Sequence, residues 1–238
     1  MAEPQIIPWK TITVEAVAIV VSILLAFAID AWWAEKKEND VEQAALLSLH
    51  SDFVASGEQL SRVIDSLESA QTDFARFRSA TTAELKETDP GTVRRFLTAF
   101  VKNHTFDPVT ATLDALANDG RLGLISDVQL LTQLSAWQRE LDNIEDISFE
   151  LRAESVRMRR AMEPFGGPFV RWRQGPDDLQ ILQEADGETM ALFQQDMEFM
   201  GRARTHQYAL NAYVFQLHKL TEDIESIATL LDQNLSGR

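Results

Sequence analysis

Residues 46–77 read LLSLHSDFVASGEQLSRVIDSLESAQTDFARF, and the spacing of the apolar residues in this stretch decides the fold. They return at alternating intervals of three and four, which is the period of a long helix that packs against other helices. Because such a stripe is buried only against neighbouring helices, the stretch predicts a helical bundle. The ten stripe positions are Leu46, Leu49, Phe53, Ser56, Leu60, Val63, Leu67, Ala70, Phe74 and Phe77.

Two further stripes with the same spacing occur in the middle and at the end of the chain. We therefore predict an all-α fold, an extended antiparallel bundle of three to four helices with coiled-coil-like packing. The middle stripe is Leu134, Trp137, Leu141, Ile144, Leu151, Met158 and Met162, and the last stripe is Leu210, Tyr213, Leu217, Leu220, Ile224, Ile227 and Leu231.

Cap and turn residues set the predicted ends of the helices. Thr88-Asp89-Pro90 combines a cap with a proline suited to a helix start, and Gly120 is a C-terminal stop. Ser126-Asp127 caps the next helix, which PFGGP at 164–168 breaks. The predicted long helices span about 35–87, 127–163 and 188–235, and the short ones about 90–103 and 108–118.

Composition excludes several classes of protein. A net charge of −15 repels nucleic-acid backbones, so we expect no nucleic-acid partner. The complete lack of cysteine removes disulfides, thiolate catalysis and cysteine metal sites. With 10 glycines and 7 prolines in 238 residues, few interruptions are available, which favours long helices.

The N-terminal segment predicts a transmembrane helix. Residues 16–29 read AVAIVVSILLAFAI, in which Ser22 is the only polar residue. Trp9 and the pair Trp32-Trp33 bracket this run at a separation of roughly 35 Å on a helix, close to the distance between two headgroup belts. We predict an N-terminal tail at 1–10, a transmembrane helix at 11–33 that continues into a bundle domain at 34–235, and a C-terminal tail at 236–238.

Three other interpretations of this segment compete with the transmembrane one. A buried core helix can be equally apolar, but it does not call for bracketing tryptophans. A signal peptide could be cleaved after Ala26-Phe27-Ala28, although Glu3 and Glu15 replace the expected basic start. An interfacial helix needs a charged face, which this segment lacks.

Two carboxylates and a stripe of small residues make the predicted span a candidate for oligomerisation. Glu15 and Asp30 lie near its two ends, where they either stay hydrated at the interface or pair with another helix. Ala18, Ser22 and Ala26 recur every four residues in line with Asp30, and small residues let membrane helices approach closely. The sequence therefore predicts the lipid bilayer as one partner and a second copy or another membrane protein as the other.

A basic and aromatic loop at Pro164–Gly175 predicts contact with anionic lipid headgroups. We expect the first long helix to climb away from the membrane and the third to descend, which returns this loop to the membrane surface. The alternative is a loop that caps the end of the bundle, with its arginines paired to acidic helices. The candidate contact residues are Phe165, Phe169, Arg171, Trp172 and Arg173.

Two stretches resemble a family of bacterial single-pass inner-membrane proteins of unknown function. The first runs from Glu15 to Trp32 and matches that family's anchor, which begins at a glutamate and ends at an Asn-Trp signature; here Asp30-Ala31 replaces the asparagines. The second runs from Thr112 to Asp127 and fits the pattern T-x-x-x-L-x-x-x-G-x-L-x-L-I-x-D. The resemblance implies a cytoplasmic N-terminus and a bundle in the periplasm, whereas the lysine and arginine count slightly favours a cytoplasmic bundle.

The second motif is explained by structure without a ligand. Gly120 ends a helix, Leu122 and Ile125 plug the end of the bundle, and Asp127 begins the next helix. The family brings no known activity, substrate or cofactor.

Catalytic and metal-binding patterns are missing from the sequence. None of the four histidines, His50, His104, His206 and His218, forms an H-x-x-x-H or E-x-x-H pair, and no phosphate-binding loop or nucleophile elbow occurs. We therefore expect no enzyme, no cofactor and no metal. The predicted function is that of a membrane-anchored scaffold or interaction protein. The alternatives are an extracytoplasmic bundle that senses a small ligand and signals through a partner, and a small oligomeric pore.

Overall fold

The computed structural model describes residues 9–167, 169–172, 179–181 and 185–237. Side chains are described from Val20 onward, except at 168, 170–179, 181–184 and 238. Helices form most of the described chain, which confirms the all-α class and the helical bundle. They are α1 (Trp9–Ser79), α2 (Thr82–Lys86), α3 (Pro90–Val101), α4 (Ala111–Asn118), α5 (Val128–Ala161), α6 (Gly187–Gln195) and α7 (Met197–Ser236).

The first helix is one continuous rod that is longer than the bundle. α1 contains 71 residues and is therefore roughly 105 Å long. Its described residues are exposed as far as Asp40, and burial begins with Glu42. We call the end of the bundle where α1 enters it the near end, and the end where α1 stops at Ser79 the far end.

Contacts along the helices fix their directions. α7 is antiparallel to α1, because His218 reaches Glu68 while His50, closer to the near end, reaches Asp232. α5 is antiparallel to α7, since Asp127 at its start accepts a hydrogen bond from Asn234. It follows that α5 runs in the same direction as α1.

The antiparallel partner between α1 and α5 is a broken helix. α3 descends from the far end, an extended link at 102–110 follows, and α4 completes the descent. The backbone N–H of Thr112 donates to Asp52 of α1, which places the start of α4 beside the near half of α1. The described chain is thus an up-down-up-down bundle of four members.

The predicted stripes form the core of this bundle. All ten positions of the α1 stripe are buried, including the polar Ser56, and so are all seven positions of the α7 stripe. In α5 only Leu141 departs, since it is partly buried. The core therefore follows the three-four spacing over the whole length of the bundle.

The predicted position of the loop at Pro164–Gly175 is wrong. Because the second member of the bundle descends as the broken helix, α5 climbs, and its end lies at the far end. There the Phe165 ring packs on Phe193 at 4.8 Å, and the neighbouring Gln194 donates to the carbonyl oxygens of Phe77 and Ala80 at the end of α1. The loop therefore begins at the end of the bundle opposite to the predicted anchor.

Several helix ends also differ from the prediction. α1 stops at Ser79 because Thr81 and Glu84 form a capping box that starts α2. The last predicted helix is two helices, since Asp196 ends α6 and caps α7 by accepting from the Phe199 N–H. α4 begins at Ala111, and Asp107-Pro108 belongs to the extended link.

A short hairpin stands where only a loop was predicted. Strand β1 (Val170–Trp172) pairs antiparallel with β2 (Leu179–Ile181), with Arg171 opposite Gln180. Each strand has three residues, too few for a period-two pattern to be visible in the sequence.

The close approach of α2 and α6 predicts a strict need for glycine at 187. A Cβ atom there would lie 2.3 Å from the carbonyl oxygen of Leu85 and 2.4 Å from that of Lys86. We expect Gly187→Ala to lower the free energy of unfolding by about 1–3 kcal/mol, because backbone must shift to admit the methyl group. Urea unfolding followed by circular dichroism measures the change.

Gly201→Ala is the matched control. It lies within α7, and its added methyl group meets no atom within 4 Å. This substitution should raise stability by up to about 1 kcal/mol, since alanine favours the helix. Equal destabilisation by both substitutions would contradict the packing argument.

Candidate functional site

The part of α1 that lies outside the bundle and has described side chains, Val20–Asp40, is called the arm here. Its large apolar side chains are between 47% and 67% exposed. Successive helical residues are rotated by about 100°, so these side chains cover about two thirds of the circumference of the arm, and the remaining side carries Ser22, Ala26 and Asp30. They are Val20, Val21, Ile23, Leu24, Leu25, Phe27 and Ile29.

An aromatic and basic cluster follows the apolar part of the arm. The rings of Trp32 and Trp33 meet edge-on at 5.4 Å between centroids. The Lys36 ammonium lies 5.7 Å from the Trp32 centroid and 5.8 Å from the Trp33 centroid, within cation–π range. This grouping joins an apolar surface to a charged segment.

The predicted polar positions of the span are only partly described. Ser22, Ala26 and Asp30 are exposed on one side of the arm. Glu15, Ala18 and Trp9 lie on α1, but their side chains fall outside the described residues.

In the part of the chain that the structure describes, no helix has both the length and the apolar character needed to cross a membrane. The predicted span at 11–33 starts among residues whose side chains are not described.

The turn motif from Gly120 to Asp127 contacts α1 at the point where this helix enters the bundle. Glu42, where α1 enters the bundle, is buried, and its Oε1 accepts hydrogen bonds from the N–H and the hydroxyl of Ser126 at 2.7 and 2.8 Å. Gly120 has a φ of 66° as it ends α4, and Ile125 is buried while Leu122 packs partly buried against the core.

Asp127 links three elements at the near end. Its Oδ1 accepts from the Gln129 and Leu130 N–H groups and so caps α5, and its Oδ2 accepts from the Asn234 amide of α7 at 2.7 Å. The Asn234 hydrogen bond, followed by the backbone bonds, lowers the pKa of the Asp127 carboxyl. The motif therefore joins α1, α5 and α7 at the point where the arm leaves the bundle.

Side chains from the other three members hold the extended link. The Phe106 N–H donates to the Tyr213 hydroxyl at 2.8 Å, and the Val109 N–H donates to Ser56 Oγ at 2.9 Å. At the start of the link, Ser155 Oγ donates to the Val101 carbonyl at 2.6 Å, and His206 Nε2 lies 3.1 Å from the Lys102 carbonyl. These bonds replace the helical ones that the link does not make.

Burial shifts the pKa values of His206 and Tyr213, the two α7 residues that bond to the link. Desolvation lowers the pKa of His206 to about 4, against the opposing effect of its bond to Lys102. Desolvation also raises the pKa of Tyr213 to about 12. Both groups are therefore neutral near pH 7.

Sequence reasoning missed most of this cluster. Ser56 was visible as a hydroxyl within an otherwise apolar stripe, which is the one signal that could have been used. Tyr213 was assigned to the core for its ring alone, and Ser155 and His206 carried no pattern.

Two aromatic residues of the predicted headgroup loop, Phe165 and Phe169, belong to the far-end core. Phe169 is buried, and its ring lies 5.8 Å from that of Phe193. Arg171 and Trp172 lie on β1, but their side chains are outside the described residues, as is the whole of Arg173. The loop begins at the far end of the bundle, so the fold does not return it to the membrane surface.

The histidines of the described residues that contact carboxylates form pairs between helices rather than larger clusters. No set of three or more histidine, aspartate or glutamate side chains that could hold a metal ion occurs there. His50 contacts Asp232 at 3.1 Å and His218 contacts Glu68 at 2.9 Å, and each pair ties α1 to α7.

Loss of the Tyr213 hydroxyl should destabilise the bundle through the link. Tyr213→Phe keeps the ring but leaves the buried Phe106 N–H without its acceptor, at a cost of about 1–3 kcal/mol. Urea unfolding measures the loss. Tyr208→Phe, on the exposed side of α7, is the control and should change little; similar losses in the two variants would contradict the role of the hydroxyl.

Burial of His206 predicts a loss of stability in mild acid. Between pH 6.5 and about 4 the unfolded chain binds a proton at this ring and the folded chain does not. The free energy of unfolding therefore decreases as the pH is lowered through that window. This group contributes a decrease of up to about 1.4 kcal/mol for each pH unit.

The His206 contribution is measured as a difference between two proteins. Unfolding of the wild type and of His206→Gln is compared from pH 7.5 to 4.5, so that carboxylate effects common to both cancel. The wild type should show the steeper loss. Parallel curves would show that His206 is not the group responsible.

Comparison of the chain with protein-family models, with curated proteins and with solved structures finds no match in any of the three. The assignment of function therefore depends on the geometry of the arm and the bundle.

Proposed function

We propose that this protein is a membrane-anchored helical scaffold whose N-terminal helix spans the bilayer at about Thr11–Trp33. The observation that supports the proposal is the exposure of large apolar side chains over about two thirds of the circumference of the arm. That surface is broader than the single stripe by which a helix packs against the core of a soluble protein. The arm extends away from the bundle core, so lipid is the occupant that would cover this apolar surface.

Free-energy magnitudes favour insertion of the arm. Seven large apolar side chains stand in contact with solvent between Val20 and Ile29. Removing them from water contributes on the order of 10 kcal/mol, at about 1.5 kcal/mol or more for each side chain. This exceeds the binding energy of a single weak lipid anchor and is consistent with a stable span.

The ends of the proposed span suit the two membrane surfaces. Trp32 and Trp33 with the Lys36 ammonium above their rings combine the aromatic and basic groups that favour the headgroup region. Trp9 would occupy the opposite belt. The charged residues from Glu35 to Asp40 then separate the bilayer from the bundle by roughly 10 Å of helix.

The scaffold role follows from the shape of the protein. A single rigid helix carries the bundle away from the bilayer and presents its outer faces to partners. Within the membrane, Ala18, Ser22 and Ala26 with Asp30 would allow a second copy or another membrane protein to pack closely. The resemblance to bacterial inner-membrane proteins supports an inner-membrane location with the bundle in the periplasm.

Membrane fractionation of the full chain tests the anchor. We expect the wild type to remain in the membrane pellet after an alkaline wash. Ile23→Arg combined with Phe27→Arg should move the protein to the supernatant, because each arginine costs about 2.5–3.5 kcal/mol at the centre of a span. Recovery of the wild type in the supernatant would refute the proposal.

Leu47→Arg combined with Val54→Arg is the matched control. Both residues are exposed, and both lie on the part of α1 that belongs to the bundle. This variant adds the same charge to the same helix and should stay in the pellet. Release of both double variants would mean that added charge, rather than loss of the anchor, causes the release.

A further inference from the structure

A cavity opens at the far end of the bundle, between the end of α5 and the start of α7. Its volume is about 500 Å³, within the range of small-molecule sites in proteins. Phe165 and Phe199 line it together with three arginines, Arg157, Arg160 and Arg202. In a chain with a net charge of −15, three arginines around one cavity are a local reversal of charge.

Two of these arginines keep their guanidinium groups available. Arg157 is paired with Glu154, one turn before it on α5. Arg160 and Arg202 are exposed and have no ion-pair partner among the described residues. Each retains the forked set of N–H donors that binds a carboxylate or phosphate in two parallel hydrogen bonds.

The acidic residues beside the cavity do not neutralise both arginines. Asp196 is committed to capping α7, since its Oδ1 accepts from the Phe199 N–H at 2.7 Å. Glu198 is exposed at the rim and makes no ion pair with the arginines within the described chain. Over the charged residues that line the cavity, three arginines stand against two carboxylates, and neither carboxylate forms an ion pair with Arg160 or Arg202 in the described chain.

The aromatic side of the cavity is apolar and closely packed. Phe199 is buried and stacks on Phe193 with 4.2 Å between ring centroids. Phe165 meets Phe199 edge to face at 5.9 Å and is only partly buried, so part of its ring is accessible. An apolar group placed here would gain aromatic contacts without first ordering the site.

We propose that this cavity binds a small soluble molecule that carries a carboxylate or phosphate group on an apolar, preferably aromatic, body. The oxyanion lies between Arg160 and Arg202, and the body packs against the accessible part of the Phe165 ring, which contacts the buried Phe199. The inference goes beyond membrane anchoring, and the site itself does not depend on it.

A headgroup of the same bilayer is a poor source of this anion. The helical rise from Trp33 to Ser79 is roughly 70 Å, several times the thickness of a headgroup layer. The exclusion of a headgroup from the same bilayer rests on the proposed anchoring. It favours a free molecule in the surrounding solution over a lipid.

Isothermal titration of the full chain in a non-ionic detergent tests the site. Phenyl phosphate and 3-phenylpropionate are the probes; inorganic phosphate supplies the charge alone and benzyl alcohol the ring alone. We expect at least one probe with both features to bind more tightly than either partial probe, and to weaken as salt is added. Failure of both complete probes to bind would overturn the proposal.

Arginine variants locate the binding. Arg160→Ala combined with Arg202→Ala should weaken binding by about tenfold or more, because hydrogen bonds to charged groups are lost. The corresponding double lysine variant should recover part of the affinity, since it keeps charge but not the fork. Both arginines are exposed, so helicity and the unfolding midpoint serve as checks on the fold.

Arg139→Ala combined with Arg204→Ala is the matched control. It removes the same charge from the same two helices away from the cavity and should leave the affinity unchanged. An equal loss in both double variants would show that binding follows net charge, which overturns the site.

Vesicles of anionic lipid that compete with the complete probe would identify a headgroup as the ligand and overturn the assignment to a soluble molecule. The titration is performed without membranes, so its failure and failure of the anchor are separate results.

Discussion

The backbone of the link at 102–110 is the constraint on which the architecture depends. An interrupted helix inside a bundle exposes N–H and C=O groups that have no helical partners, and leaving such groups buried and unpaired costs about 1–3 kcal/mol each. Here Ser56, Ser155, His206 and Tyr213 supply partners from the three unbroken members. These four side chains bond to successive points along the link, so the link also constrains how α1, α5 and α7 are aligned along the bundle axis. An apolar stripe alone allows helices to slide by a heptad, whereas paired polar groups do not.

The second organising element is the continuity of α1. One helix supplies both the arm and a full-length member of the bundle. The buried Glu42 carboxylate and the Ser126-Asp127 turn brace the helix at the point where its environment changes from packed to free. At the opposite end, α2 and α6 close over the core, with Gln194 bonded to the last carbonyl groups of α1. The near end thus joins the arm to α5 and α7, and the far end contains an aromatic cluster with an open cavity beside it.

Much of this fold was readable in the sequence because the signals are local. The α1 and α7 stripes predicted the buried faces residue by residue, and Asp127 and Gly120 were recognisable as a cap and a stop. The prediction failed where one local signal competed with another. The Thr81–Glu84 capping box and the Asp196 cap interrupt stretches whose apolar period continues on both sides, so each pair of helices was predicted as one. The hairpin at Val170–Trp172 and Leu179–Ile181 is too short to show a period at all. The basic and aromatic character of the loop at Pro164–Gly175 was noticed, but its predicted position followed from the wrong direction of α5.

The sequence by itself determined the all-helical class, the apolar arm and the identity of most core residues, because hydrophobic period and cap chemistry act over a few neighbouring residues. Only the tertiary structure decided that α3, the link and α4 together form one descending member and that α5 therefore climbs beside α1. That choice depends on hydrogen bonds between residues roughly 50 to 110 positions apart, such as Val109 with Ser56 and Phe106 with Tyr213. No local pattern encodes such pairings. They arise only when the whole core is packed, and they bring Arg160 of α5 and Arg202 of α7 to the same cavity.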